Sequence, residues 1–172
     1  MTYFSILESP IGPLMLTSNG IAITGMFIEI HKYGPAVGKD WERGDEIPIL
    51  IEGKAQLTAY FEGKQTDFDL RLAPEGTEFQ LRVWKELQGI PYGTTISYGE
   101  LARRIGNPNA SRAVGLANGR NPISIIIPCH RVIGSSGALT GYGGGLENKR
   151  TLLSLESGVL AKIPVESGLF AG

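Results

Sequence analysis

The sequence predicts a mixed α/β (α+β) chain. A small N-terminal β-sheet domain with one helix is followed by a C-terminal helix-turn-helix domain of winged-helix-like build. Three observations predict it. Short β-prone runs fill the first thirty residues, helical periodicity with capping signals dominates after residue 76, and the net charge changes sign between the two regions. At 172 residues and 42% hydrophobic content, the chain suits one compact unit or two small domains with modest cores.

T-Y-F-S-I-L and P-L-M-L-T-S are strand-forming runs, and Asn19-Gly20 signals a hairpin before I-A-I-T-G-M-F-I. Residues 31 to 47 are rich in glycine and charge and read as a loop. From about Pro48 to Phe61, Leu50, Leu57, Tyr60 and Phe61 recur at helical spacing. T-D-F-D-L-R-L then alternates, with Phe68, Leu70 and Leu72 on one face, which predicts a strand. Ala73-Pro74-Glu75-Gly76 breaks the pattern. The expected domains are therefore residues 1–75 and 76–160, with 161–172 as a tail.

The second domain opens on a well-marked helix. Thr77 and Gln80 form a capping box, and Phe79, Val83, Trp84 and Leu87 make an apolar stripe ended by Gly89 and Pro91. Ser97 and Glu100 spell a second capping box, for a helix holding Leu101, Ala102 and Ile105. Gly106-Asn107-Pro108 ends it, and Asn109 is expected to cap A-S-R-A-V-G-L-A-N-G. Two short helices across a tight glycine-containing turn suggest a helix-turn-helix.

Charge adds a hint. Residues 1–75 carry 6 Lys and Arg against 11 Asp and Glu, whereas residues 76–160 carry 9 against 5. The plain reading is scatter between two domains; the sharper one is a C-terminal half that meets a polyanion. Charge alone favours the plainer. The N-terminus has no basic start and does not read as a signal peptide, and no apolar run is long enough to span a bilayer. One cysteine excludes an internal disulfide framework and fits a reducing, cytoplasmic setting.

The second helix of the pair is made of small residues: Ala110, Ser111, Ala113, Gly115, Ala117 and Gly119, with the long basic Arg112 among them. An ordinary helix is about 10–12 Å across, and a B-form minor groove is about 6 Å wide. A helix pressed into that groove needs small side chains, whereas a major-groove reader carries several long polar ones. This helix looks like the former. Arg112 is then either a wedge into the base stack or a plain phosphate contact.

The sole cysteine sits in I-I-I-P-C-H-R-V. I-S-I-I-I-P reads as a strand buried on both faces, and Pro128 stops it just before Cys129. A lone cysteine is most often an inert small hydrophobe. Here it stands at an element end, and His130 and Arg131 beside it both favour a thiolate. A glycine-rich loop, G-S-S-G-A-L-T-G-Y-G-G-G, follows. Neighbours in an extended segment point to opposite sides, so His130 should reach Cys129 only through a water or a bend after Pro128. A carboxylate should orient the base, and Glu78, Glu86, Glu100, Glu147 and Glu156 are all candidates. One cysteine and two distant histidines do not make a zinc site, and no metal or cofactor is expected.

P-C-H-R-V, preceded by A-S-R-A-V-G-L-A-N-G-R-N-P and followed by G-Y-G-G-G-L-E-N-K-R-T-L-L, closely resembles the O6-alkylguanine-DNA alkyltransferases, the methylated-DNA–protein-cysteine methyltransferases. The match runs from residue 77 to about 157. The first 75 residues resemble the family more loosely, chiefly through S-P-I-G-P-L. The resemblance implies that Cys129 accepts the alkyl group in a single-turnover reaction, after the base is flipped from duplex DNA. His130 would be its base through a water, and Glu156 would orient His130. Arg112 would enter the stack through the minor groove on a helix whose Ser111, Ala113 and Gly115 approach the DNA. Tyr98 would contact the flipped base and Asn121 would brace the turn before the cysteine. The carbonyls of Cys129 and Val132, together with Tyr142, Gly143 and Lys149, would line the base pocket. The implied protein needs no cofactor, is a monomer with cooperative DNA binding as an option, and takes O4-alkylthymine as a conceivable second substrate.

Some relatives carry an N-terminal zinc site, whose cysteines and histidines are missing here. Gly143 stands where some relatives have Ser, and Ser124 where some have a Pro that packs on bulky substrates, so weak reaction with free benzylguanine is expected. The alternatives are an alkylated-base sensor of the alkyltransferase-like type, which lacks the reactive cysteine, and a cysteine hydrolase. The hydrolase would need Cys and His face to face and would turn over repeatedly.

Overall fold

A computed structural model of the chain describes residues 1–28, 37–137, 142 and 145–158. The N-terminal half is a four-stranded sheet backed by a helix. Strands β1 (Tyr3–Leu7), β2 (Leu14–Ser18) and β3 (Ile23–Ile28) are antiparallel neighbours, and β4 (Glu42–Arg43) pairs parallel with β1, giving the order β3-β2-β1-β4. The Asn19-Gly20 turn joins β2 to β3. Asn19 Oδ1 accepts from the N–H groups of Ile21 and Ala22 while Gly20 takes φ 99°, a conformation glycine adopts without a Cβ clash. Part of the loop expected over residues 31 to 47 is thus β4; residues 31–36, His31 included, lie outside the described residues. Helix α1 (Pro48–Phe61) starts with proline, which lacks only an N–H the first turn leaves unpaired, and buries Leu50, Leu57 and Tyr60.

The C-terminal half contains α2 (Glu78–Leu87), α3 (Tyr98–Arg104), α4 (Ser111–Gly119) and α5 (Leu146–Ser157). A two-stranded parallel ladder of β5 (Ile96–Ser97) and β6 (Val132–Ile133) joins them. The Thr77–Gln80 box is complete in both directions. At Ser97 the box is half made: its Oγ accepts from Glu100 N, but the Glu100 carboxylate turns to Arg103 and Arg104, a stronger pull than one backbone N–H. Asn109 does not cap α4; Ala110 occupies the N-cap without a side-chain bond. Gly106, at φ 83°, makes the sharp turn between α3 and α4. Among the described residues no helix is long and apolar enough to cross a membrane.

Two expected strands are absent. Phe68, Leu70 and Leu72 do alternate inward, but the segment has a single isolated bridge, Leu72 to Ile23. It lies extended against the β3 end, held by Ile23 N to Arg71 O and Ala73 N to Ile23 O, both 2.8 Å. Residues 123–127 are buried throughout, as expected, yet they fold as turns with one bridge, Ile123 to Met26. The Asn121 amide replaces the ladder. Its Nδ2 donates to Ile127 O at 2.8 Å, and its Oδ1 accepts from Ile123 N at 3.0 Å.

One apolar cluster runs through both halves, from Leu14, Leu16, Ile23 and Met26 through Tyr60, Trp84 and Leu87 to Ile127, Val132 and Leu152. Met26 N donates to Pro122 O and Ser124 N to Met26 O, so the β3 edge is covered by the turn that leads to Cys129. Trp84 Nε1 donates to Ala117 O at 2.8 Å and fixes α4 on α2.

Candidate active site

The turn at Asn121 aims the chain at the cysteine. Within it Ile125 takes φ 70°, a left-handed conformation that costs a β-branched residue about 1–3 kcal/mol. Ile127 N to Ile123 O and the Asn121 bonds enforce it. After Pro128, Cys129–Arg131 form one turn of 3₁₀-helix, not an extended segment. The bend considered after Pro128 is present, and the alternation argument does not apply to Cys129 and His130.

Cys129 is a free, buried thiol. Burial pushes its pKa up, and the Asn121 amide and the Lys149 ammonium draw it back down. Lys149 is itself fully buried on α5. Its Nζ donates to Val132 O at 2.6 Å and lies 6.0 Å from the Tyr98 ring centre; burial brings its pKa down to about 8. Asn118, one of the buried residues of α4, donates from Nδ2 to Cys129 O at 3.3 Å. The carbonyls expected to meet a base are therefore already engaged: Cys129 O accepts from Asn118 Nδ2 and the Val132 N–H, and Val132 O from Lys149 Nζ.

Glu156 is the carboxylate that reaches His130. His130 Nε2 stands 2.6 Å from Glu156 Oε2, with both side chains buried. Arg131 grips the same carboxylate from two nitrogens, at 2.7 and 2.9 Å, and donates to Ile90 O at 2.7 Å. Tyr60 OH donates to Oε2 at 2.6 Å from the other half of the chain. Burial opposes charge on Glu156, but the bonds from His130, Arg131 and Tyr60 outweigh it and hold the carboxyl well below its usual range. Burial lowers the pKa of His130, only partly offset by Glu156, so the imidazole is neutral. With Glu156 ionised, the Nε2 nitrogen carries the proton. Nδ1 is then an acceptor, and it is buried with no partner among the described residues.

Among the described residues, Asn118 Oδ1, Ser124 Oγ and Tyr142 OH are also buried without a hydrogen bond. The Ser124 and Tyr142 hydroxyls lie near one another without a bond of good geometry, and burial holds the Tyr142 pKa well above its usual value. Gly143 lies outside the described residues, as do residues 159–172. On α4, Ser111, Arg112 and Ala113 are exposed, Gly115 is half-buried against Tyr98, and Leu116 is 67% exposed. No three His, Cys, Asp or Glu side chains among the described residues gather as a metal requires.

Sequence reasoning placed Arg131 beside the thiol, but Arg131 is committed to Glu156, and the cation acting on Cys129 is Lys149. It missed Tyr60 and Asn118. The signal for Tyr60 was a hydroxyl on the buried stripe of α1, which needs a partner.

Two family models match the chain: the 6-O-methylguanine DNA methyltransferase DNA binding domain over residues 78–158, and the ribonuclease-like domain of the same family over residues 2–74. A methylated-DNA–protein-cysteine methyltransferase of Methanosarcina acetivorans is 53% identical over 154 residues, covering 90% of this chain and 97% of its own. That of Mycobacterium bovis is 50% identical over 171 residues, covering 99% of each. The crystal structure of Mycobacterium tuberculosis OGT in complex with DNA superposes with a TM-score of 0.83 at 50% identity, over 91% of this chain and 93% of that one. The chain belongs to the 6-O-methylguanine DNA methyltransferase family.

Proposed function

We propose that the chain repairs duplex DNA by moving the methyl or other alkyl group of O6-alkylguanine onto Cys129 Sγ, once per molecule. The observation that carries this is the buried thiol beside a histidine with one nitrogen fixed on Glu156 and the other unsatisfied. A water between Sγ and His130 Nδ1 carries the thiol proton to the imidazole, and the Glu156 carboxylate, held in place by Arg131, balances the imidazolium formed. The thiolate attacks the alkyl carbon in line. The S–C bond forms as the C–O6 bond breaks, and the bonding pair leaves with the guanine oxygen. A proton from Tyr98 or another pocket donor neutralises the departing base. The thioether has no easy reverse, so the transfer stops at one.

The alkyl group is hidden in the duplex, and the base must be turned out for the thiol to reach it. In this reading α4 lies in the minor groove through Ser111, Arg112, Ala113 and Gly115, and Arg112 fills the gap in the stack. The carbonyls of Cys129 and Val132 take the guanine amino group, with Tyr142, Gly143 and Lys149 around the rest. Asn121 holds the turn in place. The chain acts as a monomer.

The test is to mix the protein with a duplex carrying one O6-methylguanine and weigh it by mass spectrometry beside Cys129→Ser. The expected result is one methyl on Cys129, never two, and none on the variant. A lesion bound without any gain in mass would make the chain a sensor and remove His130 and Glu156 from catalysis.

A further inference from the structure

We propose that Tyr60, on α1 of the N-terminal half, is a positioning residue for the His130 base, setting through Glu156 the pH range over which the imidazole nitrogen facing the thiol stays open to its proton. This rests on the alkyl-transfer reading above and deepens it.

The geometry is specific. Glu156 Oε2 accepts three bonds: from Tyr60 OH at 2.6 Å, His130 Nε2 at 2.6 Å and Arg131 at 2.9 Å. Oε1 accepts from Arg131 Nε at 2.7 Å. Tyr60 and His130 thus share one oxygen, and a change in one bond is felt in the other. The Tyr60 hydroxyl touches the relay from the N-terminal half, across 96 positions of sequence. Its ring is fully buried and held on edge by Phe61 and Tyr92, at 5.3 and 6.2 Å between centres, and tilted on Phe68 at 5.4 Å. The donor is therefore fixed before substrate arrives.

The charged and titratable neighbours come from every side. Tyr60 faces Glu156 from α1, and His130 and Arg131 face it from the 3₁₀ turn. Tyr92 lies under the Arg131 guanidinium at 5.7 Å, and Lys149 faces Cys129 and His130 from α5. Arg131 supplies the counter-charge whether or not Tyr60 is present. What Tyr60 adds is a neutral donor that draws electron density from the oxygen His130 uses. Without it Oε2 becomes the more basic partner, the imidazolium is favoured, and Nδ1 is protonated and closed to the thiol at a higher pH. The N-terminal half is on this view part of the catalytic apparatus and not only its support.

The chain has two histidines, so His130 can be followed by nuclear magnetic resonance with little overlap. In Tyr60→Phe, which keeps the ring, the pH of half-protonation of His130 should rise by about one unit, tenfold in proton affinity. The acid limb of the transfer rate should move with it. Difluorotyrosine placed at position 60, a stronger donor of nearly the same shape, should move both the other way. Leu57→Ala, which loosens the same helix, should lower the melting temperature and leave His130 where it was. An unmoved His130 in folded Tyr60→Phe overturns the proposal, and so does an equal shift in Leu57→Ala. If the parent protein takes up no alkyl group, the transfer reading fails, while the His130 titration still decides the role of Tyr60.

Discussion

Replacing Glu156 with glutamine tests the centre of the site. The carboxylate accepts four bonds, two from Arg131, one from His130 and one from Tyr60, all buried. An amide of the same shape removes the charge opposite Arg131 and turns one of the two accepting oxygens into an NH2 that cannot accept. Breaking a buried pair from one side costs about 3–5 kcal/mol. For a chain of this length each kcal/mol moves the melting temperature by about 2–4 °C, so Glu156→Gln should melt roughly 10 °C lower at pH 7. The pH dependence is the sharper readout. The folded pKa of Glu156 lies below its ordinary 4.5, so the unfolded chain binds the proton first. Stability from this group is complete above pH 4.5 and is lost as the pH falls through the folded value. His130, lowered from 6.5, adds a loss of the same sign beginning nearer neutrality. Denaturant titrations from pH 7 to 3 should show the parent losing stability below about 4.5 and the variant lacking that part of the slope. A variant that melts within about 2 °C of the parent, or keeps the full acid slope, would refute the reasoning.

Three further outcomes are expected. Asn121→Ala removes the amide that closes the turn around Ile125 at φ 70°, and should cost about 2–4 kcal/mol by denaturant unfolding and slow transfer more than tenfold. Arg112→Ala, on an exposed face, should leave stability within about 0.5 kcal/mol, yet weaken transfer from duplex far more than from single-stranded substrate in a rate comparison. Lys149→Met takes away the cation that draws the thiol pKa down, so alkylation of Cys129 by iodoacetamide should need a higher pH. The inflection near pH 8, where Lys149 itself loses its proton, should vanish from the rate profile.

Much of the chain was legible from neighbours in sequence. The Asn19-Gly20 hairpin, the Thr77–Gln80 box, the stripe of α1 and the two short helices around Gly106 each depend on groups within a few positions of one another. Residues 123–127 misled for a physical reason. A β-branched apolar run has strand propensity, but the Asn121 amide satisfies its backbone inside a turn, and burial is the same in either form. The second capping box misled because Glu100 had two arginines on its own helix to choose from.

By itself the sequence determined that a thiol and an imidazole stand together at the end of a buried segment, and that a small-residue helix carrying Arg112 precedes them. Those are facts of adjacency, and a chain carries them whatever its fold. Tertiary structure decided the partners. It brought Glu156 and Tyr60 to one oxygen, gave Arg131 to that carboxylate and set Lys149 in charge of the thiol. Hydrogen bonds across 25 to 96 positions leave no local periodicity or cap to read, and the pairing of buried charges is fixed only once packing has excluded water from them.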